Sequence, residues 1–355
     1  MNKRFSILIV STVIVGLTLS LVGMALTPQT ASAEKAQNSY RQAPKPIPAT
    51  DIKVIEKTLL PAAEETKGKP SSPPGLDKKE ESGVATGVLG EPLAEGANKY
   101  AVVIGICQYP GEDYDICISD GDSYNMYQAL TELYGYDPAN IYWYRDMGDD
   151  PNNYGVDGAP TRSNIYNAVM NLKKIVTSSD EVVFFFSGHG GKGTADDGDT
   201  EDTDEAIIVH DDDGLMDEDG YSELDFIWDG ELRSWFDGFA TTRIVFVFDT
   251  CLAGGQNDVA GDGRVIAMST GETQSAYVYS TGELGEGVFS HYFVNEGMLQ
   301  GLADKYDHDS DGIFEEGEDV VVEEAFDYAK ENIPPYLKQR QKPVISDNFT
   351  DDLLL

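Results

Sequence analysis

Two residues in this 355-residue chain are of types that together could do covalent chemistry: His189, within Ser187-Gly188-His189-Gly190, and Cys251, within Asp249-Thr250-Cys251-Leu252-Ala253-Gly254-Gly255. A thiol beside an imidazole forms a thiolate–imidazolium pair in which the positive charge lowers the cysteine pKa, so attack on a peptide carbonyl becomes feasible at neutral pH. The surrounding glycines let the backbone approach closely, and the amide N–H groups of Gly190 and Cys251 are candidates for an oxyanion hole. Taken alone, a cysteine after a strand is more often a small buried hydrophobe. A histidine between glycines is more telling, because a flexible loop is a poor home for a core histidine.

The elements that must position this pair are readable from periodicity. From Lys99 onward, short apolar runs alternate with amphipathic segments, which predicts an α/β fold with a mostly parallel central sheet flanked by helices. Strands are expected at 100–106, 141–144, 182–186, 244–248, 265–268 and 276–279, several of them continuous apolar runs of the kind buried on both faces. Helices are expected over 124–134, after Thr161 as a cap, and over 231–236, 289–302 and 320–333. Ligands of open α/β sheets bind outside the carboxyl ends of the strands. The run 182–186 leads into the histidine loop and 244–248 into the cysteine loop, so the sheet could bring both side chains to one rim.

Five motifs occur in order: VVIGICQYP at the first strand, DICISDGDSYNMYQAL and PTRSNIYNAV at the first two helices, FFFSGHG ending at Gly190 and FVFDTCLAGG ending at Gly255. On these the chain, from about Tyr100 to its carboxyl terminus, resembles the caspase-like cysteine peptidases, and among them the metacaspase type. The resemblance implies a caspase-type α/β sandwich with His189 and Cys251 as the catalytic dyad. Thr250, Leu252 and Ala253 depart from the Asp-Ser-Cys-His-Ser-Gly usual around the nucleophile, but none of them supplies the nucleophile or the base. The resemblance also implies cleavage after Arg or Lys, with Asp120 and Asp249 as an acidic pair at the base of the substrate pocket and Cys117 and Ser187 lining it. Two carboxylates sharing a partly desolvated pocket repel each other, and a guanidinium or ammonium relieves that repulsion. Read without the resemblance, Asp120 is equally a helix N-cap.

A second chemistry is written in Asp307-His308-Asp309-Ser310-Asp311-Gly312-Ile313-Phe314-Glu315-Glu316-Gly317-Glu318. The segment fits a twelve-residue calcium loop, with carboxylates at positions 1, 3, 5, 9 and 12 and glycine at position 6. Asp307, Asp309, Asp311 and Glu318 are the expected side-chain ligands for Ca2+, Ile313 binds through its carbonyl, and Glu315 acts directly or through water. The resemblance further implies an activating calcium near the catalytic loops, for which Asp204, Asp229 and Asp258 match best. A second acidic residue usual after Asp229 is here Gly230. The stretch 196–219 also reads as a solvated acidic loop. His210, His291 and His308 have no partner pattern that assigns them a role.

Composition limits the alternatives. Sixty-three Asp and Glu against 25 Lys and Arg give a formal charge of -38, which repels nucleic-acid phosphates and favours cationic partners. Three cysteines make no disulfide framework, although Cys107 and Cys117 could pair in an exported protein. Lys3 and Arg4 precede an apolar stretch closed by Ala31-Ser32-Ala33, the pattern of a signal peptide or, if uncleaved, a membrane anchor over residues 1–33. Residues 34–98, rich in Pro, Ala, Lys, Glu and Gly, read as a disordered linker or propeptide. Lys67, Lys69, Lys78, Lys79 and Lys99 lie in it or at its border, open to a protease that cuts after basic residues. The expected function is an exported, calcium-dependent, self-processing cysteine endopeptidase acting on protein or peptide substrates after Arg or Lys. Its rival is a calcium-binding surface module on a caspase-like fold with no peptidase role.

Overall fold

The computed structural model describes residues 43–60, 83–109, 115–116, 119–146, 157–198, 201–212, 224–279, 286–314 and 316–355. The expected leader, most of the expected linker (34–42 and 61–82), Cys117 and Glu315 lie outside the described residues. Among the described residues, no helix is long and apolar enough to cross a membrane.

The strands in chain order are β1 (Ala49–Ile55), β2 (Thr58–Leu59), β3 (Lys99–Gly105), β4 (Ile141–Arg145), β5 (Glu181–Ser187), β6 (Gly190–Ala195) and β7 (Asp204–His210). They continue as β8 (Leu224–Trp228), β9 (Ile244–Asp249), β10 (Arg264–Met268), β11 (Tyr277–Tyr279), β12 (Glu286–Gly287) and β13 (Val344–Asp347). The central sheet has the order β13-β10-β9-β5-β3-β4, parallel except for β13. Its alternation follows the two-residue period of a strand. Val183 and Phe185 enter one apolar cluster, whereas Val182, Phe184 and Phe186 enter the other.

Helices Ser119–Gln128 and Val322–Asn332 cover the first face through Met126, Ala325, Phe326 and Ala329. Helices Arg162–Ile175 and Asp229–Phe236 cover the second through Ile165, Val169, Leu172, Leu232 and Phe236. The fold is thus an α/β sandwich around a mostly parallel sheet. Thr161 caps the second helix as expected, its side chain accepting the Asn164 N–H at 3.2 Å.

Several expectations are corrected. The stretch 34–98 is not wholly without structure, because β1 pairs antiparallel with β6 and β2 pairs parallel with β11. Low hydrophobicity misled here, since a strand bordered by a ready-made sheet edge needs little core of its own. Lys99 is half-buried rather than open, its Nζ donating to the Tyr134 carbonyl at 2.7 Å. The run 276–279 is not in the central sheet but in a three-stranded one, β12-β11-β2. The expected helix at 289–302 is α only over Val288–Ser290 and a π-helix over His291–Leu299. The wider turn carries Tyr292, Phe293, Val294 and Met298 into the core together.

Buried carboxyls make stability depend on pH, and Glu323 is a clear case. Burial pushes Glu323 from its ordinary 4.5 up to about 8, against the favourable hydrogen bond from the Leu353 N–H. The folded chain therefore keeps a proton that the unfolded chain has released, and stability falls as pH rises from about 4.5 towards 8. Thermal unfolding should show a lower Tm at about pH 8.5 than at about pH 6, and Glu323→Gln should shrink that difference.

Candidate active site

The strand register sets the site. Ser187 ends β5 directly opposite Asp249 at the end of β9, so the loops that follow leave the sheet side by side. His189 and Cys251 sit on these loops, both buried. The loops touch: a Cβ built on Gly190 would lie 2.1 Å from the Cys251 carbonyl oxygen, so only glycine allows this approach.

His189 is held by a residue that motif spacing did not reveal. Tyr109 Oη accepts the His189 backbone N–H at 2.8 Å and donates to the Ile208 carbonyl at 3.3 Å. The two rings lie 4.6 Å apart at an interplanar angle of 33°. The Cys251 loop is supported from the strand beyond it. Ser269 Oγ accepts the Thr250 N–H at 3.1 Å and returns a bond to the Thr250 carbonyl at 2.9 Å. Leu252, next to the thiol, takes the left-handed conformation with φ of 60°, which gives the sharp turn after Cys251.

The thiol differs from the sequence expectation of a lowered pKa. Burial pushes Cys251 up to about 11, against the Ala276 N–H that its Sγ accepts at 3.2 Å and against the positive charge of Lys57. In this state the cysteine is a covered thiol, not a thiolate. Cys107 is disulfide-bonded, and Cys251 is free.

The pocket beside the dyad holds a basic side chain from this chain itself. The ammonium of Lys57, whose side chain is 0% exposed, lies 2.9 Å from Ser187 Oγ, 3.1 Å from Asp249 Oδ1 and 3.8 Å from Asp122 Oδ2. Ser187 Oγ donates to Asp122 Oδ2 at 2.6 Å. Ser290 Oγ and the Ser290 N–H donate to Asp249 Oδ2, and the Gly287 N–H donates to Asp122 Oδ1. Burial raises the Asp122 carboxyl to about 7, with Asp249 adding to the rise and Lys57 opposing it.

Of the expected pocket residues, Asp249 and Ser187 lie beside the Lys57 ammonium and Asp120 does not. Both Asp120 oxygens accept from the Arg145 guanidinium. A helix turns about 100° per residue, so residues 120 and 122 face nearly opposite ways. The available signal was the four-residue spacing from Asp122 to the buried Met126, which places those two on one face.

Of the expected cluster near the His189 and Cys251 loops, Asp204 and Asp229 are together; Asp258 is not in that close group, though its charge adds to the rise at Asp229, and its carboxylate is 2.6 Å from the Arg233 guanidinium. Asp197 completes the group: Asp197, Asp204 and Asp229 are buried and offer oxygens within 4.8 Å of one another. Glu201 and Glu205 form an overlapping group with Asp229. Burial and the neighbouring Asp197 push Asp229 up to about 9, and burial with Glu272 and Glu201 pushes Glu205 up to about 8. Crowded, buried oxygen donors of one sign are the donor set of a hard divalent cation. Gly230 has a structural reason, since a Cβ there would lie 2.7 Å from Asp197 Oδ2, which accepts the Gly230 N–H at 3.0 Å.

In the acidic loop, Asp307, Asp309 and Asp311 also offer oxygens within 4.8 Å of one another, whereas Glu318 is not part of that group and lies on the 3₁₀ turn Gly317–Asp319. Asp307 Oδ2 accepts the Gly312 N–H at 3.0 Å, and Gly312 has φ of 83°. Ile313 is 52% exposed.

Residues 99–260 match the family described as metacaspase, peptidase C14 domain. Metacaspase-4 of Arabidopsis thaliana is 31% identical over 165 residues, which cover 46% of this chain and 35% of the relative. Metacaspase-1 of Kluyveromyces lactis is 35% identical over 108 residues, 30% of this chain and 24% of the relative. The chain thus spans about a third or less of these relatives' own length. The Drosophila initiator caspase Dronc gives a TM-score of 0.46 at 11% identity, covering 75% of this chain and 86% of that one.

Gly190→Ala should force the His189 and Cys251 loops apart. Overpacking of this kind costs about 1–3 kcal/mol, read as a lower denaturant midpoint with an unchanged fold by circular dichroism.

Proposed function

Taking as premise that residues 99–260 belong to the metacaspase type of the caspase-like cysteine peptidases, we propose that the chain is a cysteine endopeptidase cutting on the carboxyl side of Lys or Arg. The observation that carries this reading is the seating of the Lys57 ammonium between Asp249, Asp122 and Ser187, next to the His189 and Cys251 loops. A pocket that holds a buried lysine on two carboxylates is built for a cationic side chain, and a planar guanidinium meets the same pair with more donors.

The reaction follows from the side chains. Cys251 passes its proton to His189 and its sulfur attacks the carbonyl carbon of the basic residue, while nearby backbone N–H groups receive the oxyanion. The imidazolium then protonates the departing amine nitrogen, leaving a thioester. Water, deprotonated by His189, cleaves the thioester and restores the thiol. Tyr109 sets the histidine for both transfers by fixing its backbone and one face of its ring.

Calcium belongs to the same proposal. Asp197, Asp204 and Asp229 would hold the ion, with Glu205 beside them, and its charge would neutralise a crowded acidic group at the junction of β6 and β7. That junction matters because Gly190, the neighbour of His189, pairs with Ile207 across these two strands. The 307–311 loop is a second, more open calcium site in this reading. Export through the leader at 1–33 completes the proposal.

The test is hydrolysis of matched peptides ending in Arg, Lys or Asp by protein lacking residues 1–33, with calcium and with chelator. Arg and Lys peptides should be cut and Asp peptides spared, with activity absent in Cys251→Ala. No cleavage of any peptide either by this protein or by its Lys57→Gln form, in which the buried ammonium is lost, would overturn the reading. Asp122→Asn should lower kcat/KM for basic peptides by roughly a hundredfold through loss of a buried charge pairing, with Asp120→Asn much milder. In calorimetric titration, Asp229→Asn should weaken calcium binding roughly tenfold or more and Asp258→Asn should have a clearly smaller effect.

A further inference from the structure

The segment 43–60 is tied to the site at both ends. On one side β1 pairs with β6 from Ala49 opposite Ala195 to Ile55 opposite Gly190, the glycine that follows the catalytic histidine. On the other, the Thr58 N–H donates to the Ala276 carbonyl at 2.9 Å and the Leu60 N–H to the Val278 carbonyl at 2.9 Å, with β2 and β11 running parallel. Ile55 packs on Cys251, Leu252 and Ala276, and Leu60 enters the main core. Lys57, between these anchors, fills the acidic pocket.

The polarity of this strap is the informative part. The Lys57 backbone N–H donates to His189 Nδ1 at 3.1 Å. For hydrolysis after a lysine, the nitrogen handed to the imidazole must be that of the following residue, because that is the amine that leaves. Here it is the lysine's own nitrogen, so the peptide bond in register with the imidazole is Glu56–Lys57, while the pocket holds the side chain on the amine side of that bond. The Thr58 nitrogen is committed to Ala276 instead. The bond after Lys57 is therefore not presented to the dyad, although Lys57 fills the place of a substrate side chain.

We propose that residues 43–60 are a built-in inhibitor that seats Lys57 in the basic-residue pocket with inverted backbone polarity, so that the site is blocked and the Lys57–Thr58 bond stays intact. This rests on the peptidase reading above and adds its regulation: activity requires withdrawal of the strap, not a cut at the residue that fills the pocket. Lys57 itself is a positioning residue, since it contributes no group to the reaction.

The experiment uses the protein with its full strap, as Lys57, Lys57→Gln and Lys57→Arg forms. Two rates are read: alkylation of Cys251 by iodoacetamide, located by peptide mass spectrometry, and hydrolysis of an Arg-ending peptide. Removing one partner of a buried ion cluster should shift the strap equilibrium enough to raise both rates roughly tenfold or more in Lys57→Gln. Lys57→Arg, which keeps the charge, should remain slow. In the unmodified protein the intact mass and peptide map should show no chain beginning at Thr58. Overturning results are a new amino terminus at Thr58 that disappears in Cys251→Ala, which would make Lys57 a cleaved substrate residue, or alkylation that Lys57→Gln leaves unchanged. Faster alkylation in Lys57→Gln without cleavage of any basic peptide would uphold the strap and instead overturn the peptidase reading.

Discussion

Two carboxylates closed into one desolvated pocket need a cation, and much of the structure around the site answers that need. Asp249 ends β9 and Asp122 sits in the first helix of the sandwich, so the pair forms only when the helix has docked on the sheet. Hydrogen bonds from Ser187, Gly287 and Ser290 hold the two acids at fixed positions, but neutral donors do not cancel two charges. The single ammonium of Lys57, at 3.1 Å from one and 3.8 Å from the other, offsets one of those charges, and burial with the Asp249 charge beside it pushes the Asp122 carboxyl up to about 7. In the proposed reading, substrate preference and latency share one electrostatic cause.

The dyad depends on a different constraint, that of backbone contact. Because β5 and β9 are neighbours in register, the loops after them begin level, and the absence of a side chain at Gly190 lets them close. This arrangement owes little to the loops' own preferences. It comes from the apolar faces of Phe184, Phe186, Phe246 and Phe248, which lock the two strands into the same layer.

The central sheet was legible because its strands are apolar on both faces, and a continuous hydrophobic run announces itself without knowledge of its neighbours. His189 and Cys251 could be singled out for the same reason, each lying in a loop that follows such a run, whereas Ser187 and Asp249 were named only through the resemblance. Asp122 was not, because its role depends on which way a short polar helix faces, and the helix has almost no apolar pattern beyond Met126 to reveal that. Tyr109 and Ser290 were hidden because they act through hydrogen bonds to residues far away in the sequence. Asp197 lay in an acidic stretch where composition gives no contrast. The strap was the largest omission: ATDIKVI reads as a polar segment, and only the glycine-bearing β6 beside it makes it a strand.

The strap also completes a sheet. β1 is the outermost strand in the order β1-β6-β7-β8, and β2 closes the side of β11 opposite β12. Once the segment withdraws, β6 and β11 each present a row of unpaired backbone donors and acceptors flanking the thiol. An extended peptide could lie along either as an added strand, so the surfaces that hold the inhibitor are also suited to lay out a substrate main chain. Exposed strand edges equally invite another copy of the protein. The formal charge of -38 opposes such pairing, which gives the acidity of this chain a use unconnected with metal or substrate: keeping the opened form apart from itself.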